Sequence, residues 1–261
     1  MNEYCKKWGL DPNKLPKHVG IVMDGNGRWA SQKKRPRLFG HNEGVKRVEE
    51  ITEFSGNIGI EALTLFAFSD ENWRRPEEEV SGLMGLLRWF IRKESKRIFE
   101  NNVRFRVIGD RQKLSLDILD LIVNLEQKTS SNTGMHLCVA LSYGGHGEIL
   151  RAVKKIVAKV EVGEVFVNDI DSSLFESCLD TAGLPALDMF IRTSGEFRVS
   201  NFLLWQLAYA EMFFEPAPWP DFNMEKYVHL LNEFSCRQRR FGLTPEQKIP
   251  PTFNASKCGL L

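Results

Sequence analysis

Five short runs of apolar and β-branched residues punctuate the chain, and each ends in a polar or glycine-rich cluster. Residues 19–23 run into Asp24-Gly25-Asn26-Gly27, 62–68 into Ser69-Asp70, 103–108 into Gly109-Asp110, 135–141 into Ser142-Tyr143-Gly144-Gly145, and 187–191 into Arg192-Thr193-Ser194. Runs this short, bounded by turn residues, read as strands buried on both faces. Helical patterns lie between them. A short helix and turn precede a helix over about 42–54, and Pro76 opens another, acidic in its first turn at Glu77, Glu78 and Glu79, that reaches to about residue 100. Strands alternating with helices predict an α/β protein with a central, mostly parallel sheet flanked by helices and right-handed crossovers. In the helix after Pro76, Val80, Leu83, Met84, Leu87 and Ile91 form one apolar stripe, which Leu86, Trp89 and Phe90 widen to a second surface. Core plus a neighbouring subunit, or the wall of an apolar tunnel, would each account for it. Gly85 marks a place on this helix where space is needed.

Composition narrows the picture. The 261 residues, 43% hydrophobic, suffice for one domain over 1–241, with 1–17 an N-terminal extension and 242–261 a flexible tail. A net charge of +1 gives no bulk attraction for nucleic acid, so anion recognition must come from local arginines. The five cysteines, odd in number and without a C-x-x-C pair, read as reduced thiols of a cytoplasmic protein. No apolar run approaches the roughly 18 residues of a membrane span.

The chemistry gathers at the carboxyl ends of the runs, the edge where open parallel sheets bind ligands. Asp24 ends the first. Gly25 and Gly27 let backbone N–H groups approach an anion, with Arg28 as a fixed positive charge. A bare carboxylate beside an anion nest repels phosphate unless a divalent cation lies between them, so the combination predicts Mg²⁺ bound to a diphosphate. Arg37 and His41 fall near the next helix start and strengthen anion binding there. The second run repeats the arrangement with Ser69, Asp70, Glu71, Asn72, Trp73 and Arg75. Arg192, Arg198 and Ser200, with Thr193 and Ser194 around Gly195, form a second diphosphate clamp; pairing of these arginines with Glu196 is the bland alternative. Gly144-Gly145-His146-Gly147 reads as a tight turn. Glu211, inside the apolar FLLWQLAYAEMFF, requires a charge partner or a metal. Residues 25–30 also fit the loose G-x-G-x-x-G/A pattern, so a nucleotide-dependent oxidoreductase is a competing reading, without a clear acidic residue ending the next strand.

HVGIVMDGNGRWA at 18–30, FGHNEG at 39–44, FAFSDENWRRP at 66–76 and IRTSGEFRVSNFLLWQLAYAE at 191–211 together resemble the cis-prenyltransferases, the undecaprenyl diphosphate synthase family. The resemblance implies a homodimeric, Mg²⁺-dependent transferase that condenses isopentenyl diphosphate with an allylic diphosphate such as farnesyl diphosphate. The product would be a long-chain Z-polyprenyl diphosphate, the lipid carrier of cell-wall synthesis, grown in an apolar tunnel. It assigns the allylic diphosphate to Gly25, Asn26, Gly27, Arg28, Arg37 and His41, with Trp29 beside them, and isopentenyl diphosphate to Arg192, Arg198, Val199 and Ser200. Ser69, Asp70, Glu71, Trp73 and Arg75 would lie near the reacting carbons. Asp24 and Asn72 would be catalytic, and Asp24 and Glu211 would hold magnesium. Residues 202–214 would form the dimer interface, and Arg237, Arg239, Arg240 and Gly242 resemble an ending that reaches an active site across the dimer. Peripheral membrane contact for product release is compatible with this scheme. Ser194 and Phe197 depart from the family pattern. A non-catalytic partner subunit is the second alternative, against which the chain keeps Asp24.

Overall fold

The computed structural model describes residues 3–237. After α1 (Glu3–Trp8) the chain enters β1 (His18–Val22), α2 (Asn26–Gln32), α3 (Arg37–Ile58), β2 (Ala62–Ser69) and α4 (Glu77–Glu100). It continues through β3 (Arg104–Ile108), α5 (Leu116–Lys128), β4 (His136–Tyr143), α6 (Gly145–Glu161) and α7 (Ser172–Cys178), and ends in β5 (Met189–Thr193), β6 (Glu211–Glu215) and α8 (Met224–Cys236). The strands form one sheet in the order β3-β4-β2-β1-β5-β6, every neighbouring pair parallel. The α/β expectation therefore holds, with the strand order reversing direction beside β1. Ligands bind outside such a switch point, at the carboxyl edge.

Alternation along each strand feeds two cores. Val19, Ile21, Leu63, Leu65, Phe105, Val107, Leu137, Val139, Met189 and Ile191 face the larger one, shared with α3, α4, α5 and α8. Val22, Ile108, Ala140 and Phe190 face the smaller, closed by Phe202, Leu203 and Leu207. Two-sided burial explains why the strands read as continuous apolar runs. His18 is a satisfied core histidine between Pro185 O at 2.9 Å and Thr64 Oγ1 at 2.7 Å, and burial lowers its pKa to about 4.

Three expectations need correction. β6 follows the 202–210 segment with no turn residues between them, and it was not anticipated as a strand. α3 begins at Arg37, well before 42, because Gly40 acts as a packing residue: a Cβ there would stand 2.0 Å from Asn26 O. Cys5, Cys138 and Cys178 are free and buried, but Cys236 is disulfide-bonded, so five reduced thiols are not found. Residues 238–261, with Arg239, Arg240, Gly242 and the tail, lie outside the described residues.

The two sheet edges differ. Along β3 the outward N–H groups of Phe105, Val107 and Gly109 donate to Thr129 Oγ1, Glu126 Oε1 and Asp180 Oδ2. Side chains thus cap that edge against strand addition.

Candidate active site

Asp24 follows β1, where the apolar run ends and the backbone turns. The Thr193 hydroxyl accepts from Asp24 N–H at 3.0 Å and donates to Asp24 O at 2.8 Å, tying the ends of β1 and β5 together. Gly25 has φ +99°, and a Cβ on it would stand 2.6 Å from Ser194 Oγ and 2.9 Å from Pro218 Cα. Only glycine fits such a turn. The Asp24 carboxylate accepts from Gly25 N–H at 2.7 Å and from the Arg192 guanidinium at 2.8 Å, with Arg28 at 3.4 Å. Burial alone would raise its pKa, but the Arg192 and Gly25 hydrogen bonds and the charges of Arg192 and Arg28 outweigh this and hold it below the usual carboxylate range.

Arg192 is only 3% exposed, so its charge must be compensated locally. Besides Asp24 it donates to Arg198 O and Ser200 Oγ, both at 2.7 Å. Glu196 pairs with Arg28 at 2.7 Å and with Arg198 at 2.5 Å. The bland pairing is thus present for Arg198 but not for Arg192, and it brings the Arg28 and Arg198 guanidinium groups to one carboxylate. Glu79 does the same for Arg75 at 2.9 Å and Arg37 at 3.3 Å. Beyond β2, the Asn72 side-chain oxygen accepts from Ser69 N–H at 3.1 Å, which leaves its NH₂ group for other acceptors.

Some of these groups line a cavity of about 720 Å³, whereas Gly25, Arg28 and Arg37, also expected at the site, are not on its wall. Asp24, Asn26, His41, Ser69, Glu71, Asn72, Arg75, Arg192, Arg198 and Ser200 lie on its wall, and Leu65, Leu83, Met84, Leu86, Leu87, Phe90, Phe105, Val139 and Leu141 make its deeper part apolar. Three of its wall atoms, Asn26 Oδ1, His41 Nε2 and Arg192 Nε, are buried without a hydrogen-bond partner among the described residues. Such atoms carry a desolvation cost that a polar ligand would relieve. Burial first, then the charges of Arg75 and Arg37, against an opposing effect of Glu79, lower the His41 pKa to about 4. At neutral pH it is an uncharged imidazole with one N–H to donate.

Other site residues expected from the sequence stand apart from the cavity wall. Trp29 is buried, donates to Asp221 at 2.7 Å and stacks on Phe39. Trp73 donates to Ser142 Oγ at 2.8 Å and packs edge-on against Phe68. Asp70 pairs with Lys113, and Val199 packs against the smaller core. Gly27 lies beneath the Arg37 guanidinium, whose Cζ would be 2.8 Å from a Cβ there. Glu211 begins β6 in register with Met189 and, through it, with Val19, five residues before Asp24. At about 3.3 Å per residue the separation is roughly 16 Å along the strands alone. Asp24 and Glu211 of one chain therefore cannot hold a single ion, and Glu211 has a charge partner in Arg237 at 3.0 Å.

Asn201 was missed by the sequence reading. Its amide donates to Glu71 at 2.9 Å, its side-chain oxygen accepts from His146 N–H at 2.9 Å, and its backbone oxygen accepts from Gly145 N–H at 2.7 Å. It sits at φ +61°, beside Ser200 at φ +49°. An asparagine in this left-handed region was the available signal.

A magnesium ion fits the donor set. Among the described residues no group of three His, Cys, Asp or Glu side chains could hold a metal, and Mg²⁺ commonly takes one carboxylate and completes its shell with substrate phosphates and water. The part-exposed Asp24 supplies one carboxylate.

The chain is similar to known proteins over most of its length. Residues 22–242 match the family model described as putative undecaprenyl diphosphate synthase. An isoprenyl transferase of Agrobacterium fabrum is 50% identical over 233 residues, 89% of this chain and 94% of that protein. A ditrans,polycis-undecaprenyl-diphosphate synthase of Vibrio cholerae, specific for (2E,6E)-farnesyl diphosphate, is 49% identical over 238 residues, 91% of this chain and 95% of that protein. Among solved structures, lavandulyl diphosphate synthase from Lavandula x intermedia, in complex with dimethylallyl diphosphate, has TM-score 0.86 and 37% identity, covering 88% of this chain and 99% of that one. A probable undecaprenyl diphosphate synthase from Campylobacter jejuni has TM-score 0.72 and 32% identity, covering 87% and 98%.

Proposed function

The chain belongs to the undecaprenyl diphosphate synthase family of prenyl transferases, and on that premise we propose that it extends farnesyl diphosphate with isopentenyl diphosphate to a long-chain Z-polyprenyl diphosphate. One observation carries this reading: a cluster of arginines and unsatisfied polar atoms opens directly into an apolar cavity of about 720 Å³. A charged head and a hydrocarbon tail need those two environments in that order. The assignment treats the chain as one catalytic domain, with the allylic diphosphate on Gly25, Asn26, Gly27, Arg28, Arg37 and His41, and isopentenyl diphosphate on Arg192, Arg198 and Ser200.

Breaking the allylic C–O bond places negative charge on the departing diphosphate. Arg28, Arg37 and the neutral His41 N–H would stabilise that charge where it develops, and the apolar wall would keep water from the cation-like carbon. Asp24 would hold magnesium, which would supply Lewis-acid stabilisation at the leaving group. Asn72 is an amide and a poor base. With its oxygen accepting from Ser69, its NH₂ is placed to orient a diphosphate oxygen, which can take the proton lost from the condensing unit.

The reading includes a homodimer through the β6 edge, supported by Met212 exposed on that strand and by Trp205 and Tyr209 exposed in the segment before it. It also includes a cytoplasmic location, which the free thiols favour and the Cys236 disulfide opposes; cell fractionation decides that point. No helix among the described residues is long and apolar enough to cross a membrane.

The test of the reaction is incubation with labelled isopentenyl diphosphate, farnesyl diphosphate and Mg²⁺, followed by chromatography. Label moving into long polyprenyl products is expected, and products must vanish with chelator. No extension of any allylic starter would refute the reading.

A further inference from the structure

A surface beside the cavity has, apart from Arg37, no part in the chemistry above. The turn from α2 to α3 reads Lys33-Lys34-Arg35-Pro36-Arg37-Leu38-Phe39, and all of it is exposed, with Leu38 and Phe39 showing 42% and 36% of their surface to solvent. Leu38 packs onto α4, 3.3 Å from where a Gly82 Cβ would stand. From Gly82, helical spacing runs through Gly85 and Leu86 to Trp89, which is 49% exposed. The Lys93 ammonium lies 4.7 Å over the Trp89 ring.

Cations frame this apolar row at both ends. Lys33, Lys34 and Arg35 have no carboxylate in ion-pairing range among the described residues; Arg37 pairs with Glu79, Lys93 with Glu49 and Lys96 with Glu100. Glu77 and Glu78 are the nearby exposed acids in the first turn of α4. A chain of net charge +1 has therefore concentrated four positive charges and no negative one between residues 31 and 39. The patch also continues into the cavity wall, because His41 follows Phe39 by two residues and Leu86 precedes Trp89 by three.

We propose that this surface docks on an anionic lipid bilayer. Basic residues alone, or a few apolar side chains alone, bind membranes weakly, and the two signals together bind them well. A nucleic acid would satisfy the cations but offer nothing to Leu38 and Trp89, which favours lipid. The benefit to product release rests on the reaction proposed above, since a polyprenyl diphosphate is itself a membrane amphiphile; the docking does not.

The test is co-sedimentation of the full chain, without substrate, with vesicles of phosphatidylcholine alone or with added phosphatidylglycerol, over a salt series. Binding is expected only with phosphatidylglycerol and should weaken with salt. Each cation near the surface is worth roughly fivefold in partitioning, so Lys34→Glu with Arg35→Glu should lower binding at least about tenfold. Trp89→Ser should lower it about threefold or more at unchanged charge. Lys6→Glu with Lys14→Glu, the same charge change on α1 and the segment after it, should leave binding within about twofold. Absent binding, equal loss in both charge-reversed pairs, or indifference to Trp89→Ser would overturn the proposal. Turnover measured on the unaltered chain separates the two claims: vesicle binding absent with turnover present refutes the docking surface alone, and turnover absent with vesicle binding present refutes the reaction alone.

Discussion

At the scale of single residues, Asp24 and Arg192 are one unit. Asp24→Asn keeps the shape and a hydrogen bond to Arg192 while removing the charge, so turnover should fall about 10²–10³-fold, the range for losing one electrostatic contact at a leaving group. Near-normal turnover at saturating Mg²⁺ would exclude Asp24 from the reaction. Asp24→Ala should in addition cost on the order of 2 kcal/mol, because a buried guanidinium loses its carboxylate, and urea unfolding measures the difference. Ser194 has φ +79°, a left-handed backbone that suits glycine better than serine. Ser194→Gly should raise stability by roughly 1 kcal/mol through relief of left-handed strain; an unchanged or lowered melting temperature would show that the hydroxyl contributes more than the strain costs. His18 carries a pH signature. Its folded pKa of about 4 lies below the ordinary 6.5, so between those values the unfolded chain binds more protons. Stability should therefore fall as pH drops from 6.5 towards 4, by about 3 kcal/mol from this group. His18→Gln should flatten that slope while lowering stability at pH 7; an unaltered slope would mean that carboxylates such as Asp24 carry the whole acid response. The polar residues on the cavity wall were legible because they end apolar runs. Glu196, Glu79 and Asn201 were less so, since what matters about them is which distant side chain they meet.

At the scale of elements, the first five strands could be read from the sequence because burial on both faces leaves an uninterrupted apolar run. β6 could not: EMFFE adjoins another apolar stretch with no turn chemistry to mark where one ends. α4 is the instructive case. Its two apolar surfaces are real, but Gly85 lines neither the core nor the cavity. It is exposed, and a Cβ there would meet nothing within 4 Å. Leu83 and Leu87 line the cavity, whereas Leu137 borders a separate cavity of about 220 Å³ that meets the first only at Phe90. Periodicity located the helix faces but not which neighbour each would meet. If the main cavity holds the growing chain, Leu87→Trp should shorten the products without slowing the first condensation, because overfilling a wall blocks the tail and leaves the mouth intact. Gly85→Leu should leave product length unchanged. Product chromatography on both variants decides: shortening by Gly85→Leu, or full-length chains from a well-folded Leu87→Trp, would place the tail elsewhere.

At the scale of the whole molecule, the two sheet edges are covered differently among the described residues, with only Arg237 donating to Met212 O on β6, and for the proposed homodimer that asymmetry points to where a second copy would sit. β3 is sealed by Thr129, Glu126 and Asp180, while β6 presents Met212 at 38% exposure beside α6, whose Leu150 and Val153 are 62% and 44% exposed. Gln206, in the segment leading into β6, hydrogen-bonds to Glu148 on α6, which ties that segment to the helix. An exposed strand edge with an apolar flank is a pairing hazard unless it is used, and a two-fold dimer uses it once and closes. Sedimentation equilibrium should accordingly give about twice the 30.0 kDa chain mass. Leu150→Glu combined with Met212→Arg should shift the protein to monomer, since burying either new charge in an apolar contact is costly. Leu116 on α5 is more exposed still, at 80%, which makes Leu116→Glu the control for surface hydrophobicity as such. A wild-type monomer, or a dimer broken equally by Leu116→Glu, would remove the β6 face from consideration; a dimer broken only by the first pair would fix the interface there.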